Sequence, residues 1–260
     1  MLSIMRKEEL VLLNRDGKRM AATLERPEGA IRGTVLVLHG LGGWKDQSIL
    51  VTVGEMFAGR GYAVLRFEES NAITSPDGDF FRETTTQYAR DMEDACAYMK
   101  AQSWFTQPLT LVGHSMGGLL AAWYAAEHPG EATRLVLLAP AVSWKTMWWG
   151  QLPFALISLI RGHQTMLGIR GEKFRLNTVS WWSDFFRFDG SAYARRIDLP
   201  TFIVSAERDH TVATPREHRN YAKRFACARH STISWADHDF TGREDEVADA
   251  IAQWLDAPSS

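Results

Sequence analysis

Short apolar, β-branched runs alternate with helical patterns along most of this chain of 260 residues. Continuous apolar strands between helices are typical of a parallel sheet that helices cover on both faces. The predicted strands lie at residues 34–38, 62–67, 109–112, 134–139, 201–206 and 231–235. The predicted helices lie at residues 47–60, 86–103, 116–127, 215–225 and 244–255. A predicted hairpin precedes them, with strands at 10–13 and 20–25 around a turn at 14–17. We therefore predict an α/β fold with a mostly parallel central sheet flanked by helices, in which ligands bind beyond the carboxyl ends of the strands.

The alternation of strands and helices stops between residues 141 and 195, where aromatic side chains are concentrated. We expect residues 1–140 and 196–260 to form one core, and residues 141–195 to form a cap or lid inserted at the strand ends. Within it, Trp148 and Trp182 are predicted to contact substrate. Because neighbouring side chains diverge in regular structure, at least one member of each of the pairs Trp148–Trp149 and Trp181–Trp182 is expected to face substrate or solvent.

The sequence Gly113-His114-Ser115-Met116-Gly117-Gly118 lies directly between a predicted strand and a predicted helix. A Gly-x-Ser-x-Gly motif in this context is typical of a nucleophile elbow, in which a tight turn exposes the serine hydroxyl. The glycines allow neighbouring backbone to approach, and the hydroxyl lies at the positive end of the helix. The alternative is a glycine-rich turn in which the serine only caps the helix. We favour Ser115 as a nucleophile.

A serine nucleophile needs a base and a group that orients the base. His238 follows the last predicted strand and is the favoured base, with His210 as the main rival. Asp209 follows the strand at 201–206 and is the favoured acid, with Glu207 as the second choice. The order serine, acid, histidine matches that of strand-to-helix nucleophile motifs.

Two backbone N–H groups are predicted to stabilise a developing oxyanion. One belongs to Met116, the residue after the nucleophile. The other belongs to Leu41, within His39-Gly40-Leu41-Gly42-Gly43 after the first apolar strand. This run could also cradle a phosphate, but it lacks the Gly-Lys-Ser/Thr ending of a P-loop. Trp44, next to it, and His114 are predicted to contact substrate.

Composition argues against several other classes of protein. The net charge of −2 gives no basic excess for binding nucleic acid. Two cysteines, Cys96 and Cys227, are too few for a disulfide scaffold or a zinc cluster. The longest apolar run, residues 152–160, is far shorter than the ~20 residues of a membrane span. The first residues lack the apolar core of a secretion signal, so a cytoplasmic protein is expected. We expect no metal and no organic cofactor.

These motifs together resemble the α/β-hydrolase superfamily, over nearly all of the chain outside 141–195. Within it the chain is most similar to the small bacterial cinnamoyl/feruloyl-esterase and serine-aminopeptidase-like carboxylesterases. The resemblance implies Ser115 as nucleophile, His238 as base and Asp209 as acid, with the N–H groups of Leu41 and Met116 as the oxyanion hole. One segment departs from the family. Its members usually carry a glycine-rich loop after the strand at 62–67, whereas residues 68–73 read Glu-Glu-Ser-Asn-Ala-Ile here.

The sequence thus predicts a serine hydrolase that cleaves small-molecule carboxylic esters with apolar or aromatic acyl groups. The same residues would serve a thioesterase, an amidase or a carbon–carbon hydrolase. Two further alternatives are a catalytically silent ligand-binding protein and an interaction module that uses the aromatic segment as a contact surface. The oligomeric state stays open between monomer and homodimer.

Overall fold

A computed structural model describes residues 5–143, 160–167 and 173–257. Eight strands of these ranges form one sheet in the order β1-β2-β4-β3-β5-β6-β9-β10, and β7 pairs with β8 separately. The strands are β1 Met5–Leu13, β2 Arg19–Pro27, β3 Thr34–Leu38, β4 Ala63–Phe67, β5 Leu109–His114, β6 Arg134–Leu138, β7 Gln164–Leu167, β8 Lys173–Leu176, β9 Thr201–Ala206 and β10 Ala228–Ile233. The first two strands join the sheet antiparallel, and the pairs from β4 to β10 are parallel. The predicted α/β fold with a mostly parallel sheet is confirmed.

Helices cover both faces of the sheet, as the continuous apolar strands predict. In the described ranges they are α1 Ser48–Gly59, α2 Thr85–Lys100, α3 Met116–Glu127, α4 Thr178–Phe185, α5 Gly190–Ala194, α6 Pro215–Ala222 and α7 Glu244–Asp256. Helices α1 and α7 pack together over one apolar layer, and α2, α3, α4 and α6 contribute to the layer on the other face. No helix in the described ranges is both long and apolar enough to cross a bilayer.

The last strand is shifted from its predicted position. We predicted residues 231–235, whereas β10 covers Ala228–Ile233. Trp235 has a φ of 63°, a left-handed backbone conformation that cannot continue a strand. The turn at Trp235 sends the chain across the carboxyl edge of the sheet, and His238 lies in the segment that follows.

The described part of 141–195 contains the antiparallel pair β7–β8 and the helices α4 and α5. Trp181 and Trp182 lie on α4 and are only 4% and 6% exposed. Neither of the two therefore faces solvent, because positions one residue apart on a helix can both fall within a wide apolar face. Contact of one of them with substrate stays a prediction. Trp144, Trp148 and Trp149 lie outside the described residues, as does most of the apolar run 152–160.

The turn between β5 and α3 requires glycine at two positions because backbone packs directly on backbone. A Cβ atom on Gly113 would lie 2.2 Å from the carbonyl oxygen of Gly117. A Cβ atom on Gly117 would lie 2.5 Å from the carbonyl oxygen of His39 and 2.7 Å from that of Leu38. Real Cβ atoms do not approach backbone oxygens this closely. The two glycines therefore set the distance between the start of α3 and the end of β3.

We expect Gly117→Ala to destabilise the protein by at least about 2 kcal/mol, because the added methyl group forces the start of α3 away from β3. Gly59→Ala is the matched control. Gly59 is also helical, a Cβ there would meet nothing within 4 Å, and alanine should stabilise the helix by about 0.5–1 kcal/mol. Urea unfolding of both variants measures the difference. Equal stabilities for the two would show that the close approach at Gly117 is unimportant.

Candidate active site

Three side chains from separate loops meet at the carboxyl edge of the sheet. Ser115 follows β5, Asp209 follows β9 and His238 follows β10. The Oγ of Ser115 lies 3.0 Å from Nε2 of His238. The Nδ1 of the same ring lies 2.8 Å from Oδ2 of Asp209. The structure therefore brings the three residues of the predicted serine, histidine and aspartate arrangement into one hydrogen-bonded line.

The backbone holds Ser115 in a strained conformation at the turn. Its φ of 53° and ψ of −116° are rare for a residue with a side chain. Two hydrogen bonds fix the turn to the end of β6: Ser115 N–H donates to the oxygen of Leu138 at 2.9 Å, and Ala141 N–H donates to the oxygen of Ser115 at 2.9 Å. These bonds hold the turn at the carboxyl edge of the sheet, where the hydroxyl meets His238.

Asp209 is held as an ionised acceptor although it is buried. Its Oδ1 accepts hydrogen bonds from the backbone N–H of Thr211 at 2.8 Å and Val212 at 3.3 Å. Burial alone raises the pKa of a carboxyl group, but the contacts with His238 and these amides outweigh it and keep the pKa of Asp209 below its ordinary value. Because an ionised carboxylate only accepts, Nδ1 of His238 carries the hydrogen and Nε2 is left to accept from Ser115.

The two second choices from the sequence lie elsewhere. Glu207 is exposed, and its Oε2 accepts from the backbone N–H of Trp235 at 2.7 Å. His210 is also exposed, whereas it is His238 that contacts Ser115. This geometry favours Asp209 over Glu207 and His238 over His210.

The buried ring of His114 packs against the ring of His238. Its ring lies 4.9 Å from the ring of His238, and its Nε2 donates to the carbonyl oxygen of His238 at 2.9 Å. Burial, followed by the nearby His238, lowers the pKa of His114 to about 3, so the ring is neutral near pH 7. In the structure this side chain supports the His238 loop; its predicted contact with substrate stays a prediction.

The loop of residues 39–43, called the oxyanion loop below after its predicted role, passes directly against Ser115. A Cβ atom on Gly40 would lie 3.0 Å from Cβ and 3.5 Å from Oγ of Ser115. Within the described part of the chain, the N–H groups of Leu41 and Met116 have no hydrogen-bond acceptor. Both are thus available for an oxygen bound near Ser115. Trp44, just beyond the loop, is half-buried, and Trp182, on α4, is buried in the apolar layer that α2 and α3 also line.

Sequence reasoning missed a group of buried acids behind the oxyanion loop. Glu69 lies beside His39, with Oε2 2.6 Å from Nε2, and both side chains are fully buried. Glu83 is fully buried, and its carboxyl oxygens have no hydrogen-bond partner among the described residues. Burial, followed by repulsion from Glu69, Asp91 and Asp184, raises the pKa of Glu83 well above its ordinary value. The sequence signal that could have revealed this group is the pair of consecutive acids directly after β4, because that position lies at the carboxyl edge of the sheet.

In the described residues no cluster of three or more metal-ligating side chains occurs.

The raised pKa of Glu83 makes stability depend on pH in a defined direction. The folded protein binds this proton more tightly than the unfolded chain, so the contribution is present at low pH and is lost as pH rises through the folded pKa. Glu83→Gln mimics the protonated acid. We expect its free energy of unfolding, relative to the wild type, to increase by at least about 1 kcal/mol between about pH 5 and pH 8.

Glu55→Gln is the control for this comparison, because Glu55 is an exposed glutamate on α1. Its stability relative to the wild type should be the same at both pH values. Urea titrations at the two pH values give the numbers. A difference between Glu83→Gln and wild type that does not change with pH would mean that Glu83 is ionised in both states.

Two relatives with known names match part of this chain. The chain is 26% identical to human (Homo sapiens) monoglyceride lipase over 138 residues, which cover 50% of this chain and 42% of that protein. It is 30% identical to monoacylglycerol lipase abhd6-A of Xenopus laevis over 121 residues, covering 42% and 31%. The matched regions thus span less than half of each relative.

Among solved structures, the esterase Est1E of Butyrivibrio proteoclasticus with bound ferulic acid superposes with a TM-score of 0.79 at 19% identity. The superposition covers 95% of this chain and 98% of Est1E, and it shows a shared fold. Residues 29–180, more than half of the chain, match the family described as serine aminopeptidase, S33. This chain is therefore a member of the serine aminopeptidase S33 family of α/β hydrolases.

Proposed function

We propose that this protein is a serine hydrolase that cleaves carboxylic esters of small apolar or aromatic acids through an acyl-enzyme on Ser115. The observation that carries the proposal is the hydrogen-bonded line from Ser115 through His238 to the buried carboxylate of Asp209. This arrangement activates a hydroxyl that is otherwise a weak nucleophile.

In the first step, Nε2 of His238 takes the hydroxyl proton while Oγ of Ser115 bonds to the ester carbonyl carbon. The carbonyl oxygen becomes an oxyanion, which the N–H groups of Leu41 and Met116 receive. The tetrahedral species collapses, His238 gives its proton to the departing alkoxide, and the alcohol leaves. Asp209 stays ionised and stabilises the imidazolium.

In the second step, water replaces the alcohol. His238 takes a proton from the water, whose oxygen attacks the acyl carbon on Ser115. Collapse of the second tetrahedral species returns the proton to Oγ of Ser115 and releases the carboxylic acid. The proton is transferred at each stage by one imidazole, so this chemistry needs no group beyond the residues of the chain.

The proposed substrate class is supported by two facts. The names of similar proteins refer to monoglyceride and monoacylglycerol lipases, and one solved relative holds ferulic acid. The segment 141–195, which we propose acts as a cap, is rich in aromatic residues suited to apolar or aryl groups. We propose Trp44, Trp148 and Trp182 as contacts for these groups.

Amide cleavage is a second candidate, because the family description names an aminopeptidase. The same three residues could attack an amide. Turnover of aminoacyl p-nitroanilides, measured beside p-nitrophenyl esters of similar size, separates the two activities.

Ser115→Ala should reduce turnover of p-nitrophenyl acetate, butyrate and octanoate and of methyl ferulate by roughly 10⁴-fold or more. The fold should be retained, as judged by circular dichroism and urea unfolding, because alanine removes only the hydroxyl. A fluorophosphonate probe should label the wild type and not the variant. Equal turnover by the two proteins would exclude Ser115 as the nucleophile.

Asp209→Asn should lower kcat by about 10³- to 10⁴-fold, because an amide can donate to Nδ1 and so fix the wrong tautomer of His238. Glu207→Gln is the matched control, since it makes the same change two residues away on an exposed side chain. Its kcat should stay within about twofold of wild type. A larger loss in Glu207→Gln than in Asp209→Asn would assign the acid to Glu207.

A further inference from the structure

The buried contact between Glu69 and His39 links the loop after β4 to the oxyanion loop after β3. These strands are neighbours in the sheet, so their carboxyl ends lie side by side. Oε2 of Glu69 approaches Nε2 of His39 to 2.6 Å in a fully buried environment. The contact is a close ion pair whose alignment lies outside that of a regular hydrogen bond. It does not belong to the line formed by Ser115, His238 and Asp209.

The other nitrogen of His39 contacts the oxyanion loop itself. Its Nδ1 lies 2.7 Å from the carbonyl oxygen of Gly40. A carbonyl oxygen and an ionised carboxylate only accept hydrogen bonds, so a ring that faces both of them is satisfied when both nitrogens carry hydrogen. Burial lowers the pKa of His39, but attraction by Glu69 outweighs it and the pKa is raised overall. A charged ring between the two acceptors is consistent with this direction.

The contact with the oxygen of Gly40 orients the peptide group between Gly40 and Leu41. In a planar trans peptide the C=O and the following N–H point in opposite directions. The same oxygen also accepts from the N–H of Gly43 at 3.0 Å, so it is held from two sides. The Leu41 N–H must then point to the opposite side of the loop. Because Gly40 packs on Ser115, this peptide lies next to the hydroxyl oxygen.

We propose that Glu69 is a positioning residue which, through the charged ring of His39, holds the 40–41 peptide so that the Leu41 N–H faces the oxyanion. The inference rests on the proposed hydrolase function. Glu69 does not touch the reacting atoms. Its carboxylate keeps the second proton on His39, and the charged ring donates from Nδ1 to the oxygen of Gly40 more strongly than a neutral ring would.

Neighbouring groups hold His39 in other ways. The hydroxyl of Tyr88 donates to the carbonyl oxygen of His39 at 3.1 Å, and its ring lies 5.2 Å from the imidazole. Glu68 also attracts the charge on His39, but more weakly than Glu69 does. Only the Glu69 carboxylate is in contact with Nε2, so it is the group whose loss should change the proton state of the ring.

Glu69→Gln keeps the shape of the side chain and removes its charge. Burial then favours a neutral ring, whose Nδ1–H is a weaker donor to the oxygen of Gly40 than that of an imidazolium, so the 40–41 peptide is held less firmly. Removing an oxyanion donor outright costs about 10²–10³ in kcat, so a donor that is less firmly held should lower kcat by about tenfold. KM for p-nitrophenyl butyrate should change by less than about twofold, because the oxyanion forms only in the transition state.

Glu83→Gln is the matched control, since it makes the same change at another fully buried glutamate that does not contact His39. Its kcat should stay near that of wild type. Equal kcat values in Glu69→Gln and Glu83→Gln, or a loss in Glu69→Gln that lies in KM, would overturn the proposal. If the wild type shows no turnover that depends on Ser115, the proposed function fails and this inference fails with it; if such turnover exists and Glu69→Gln retains it, only the inference fails.

Nitrogen NMR of histidine-labelled wild-type protein gives a second readout that needs no stable Glu69 variant. At about pH 6.5, where an ordinary histidine is about half protonated, both ring nitrogens of His39, assigned by their absence in His39→Gln, should show mostly the protonated shift. A neutral His39 at this pH would overturn the proposal even if Glu69→Gln does not fold. Where Glu69→Gln does fold, its ring should show one bare nitrogen, and the ring in Glu83→Gln should resemble wild type.

Discussion

The close approach of two backbones, at the start of α3 and the end of β3, is the constraint on which the rest of the site depends. Gly117 packs on the carbonyl oxygens of Leu38 and His39 at distances that leave no room for a Cβ. That contact sets how far the oxyanion loop lies from Ser115 and from the N–H of Met116. It also explains why the turn can hold Ser115 at a positive φ, since glycines on both sides relieve the crowding around it.

Three histidines surround this point, and their environments differ. His39 faces a buried carboxylate, which raises its pKa despite burial. His114 is as buried but faces a carbonyl oxygen and the ring of His238, and its pKa falls to about 3. One ring is therefore favoured as a cation and the other as a neutral donor, and each fixes a different loop. The proposed base, His238, packs against His114, with its hydrogen held on Nδ1 by Asp209.

The sequence could predict the sheet, the elbow and the three residues that meet there, because each of them directly follows an apolar strand. Parallel strands deliver their carboxyl ends to one edge, so order along the chain becomes proximity in space. The contact between Glu69 and His39 could not be predicted in this way. It depends on the folded path of residues 68–78, which two distant contacts fix: Ser70 N–H donates to Asp91 at 2.7 Å, and Lys18 donates to Asn71 at 2.8 Å. No local pattern encodes contacts between such separated elements.

The aromatic helix α4 is also fixed by contacts between residues that are far apart in the sequence. Both carboxylate oxygens of Asp184 accept from Thr86, one from its N–H at 2.7 Å and one from its hydroxyl at 2.6 Å, so α4 is fixed to the first turn of α2. Trp181 stacks on Phe185 with ring centres 4.9 Å apart, inside the same apolar layer as α2 and α3. These side chains hold the fold together. A substitution that shortens Trp181 or Phe185 therefore removes packing from the core, so any widening of the proposed substrate pocket at these positions would lower the stability of the protein.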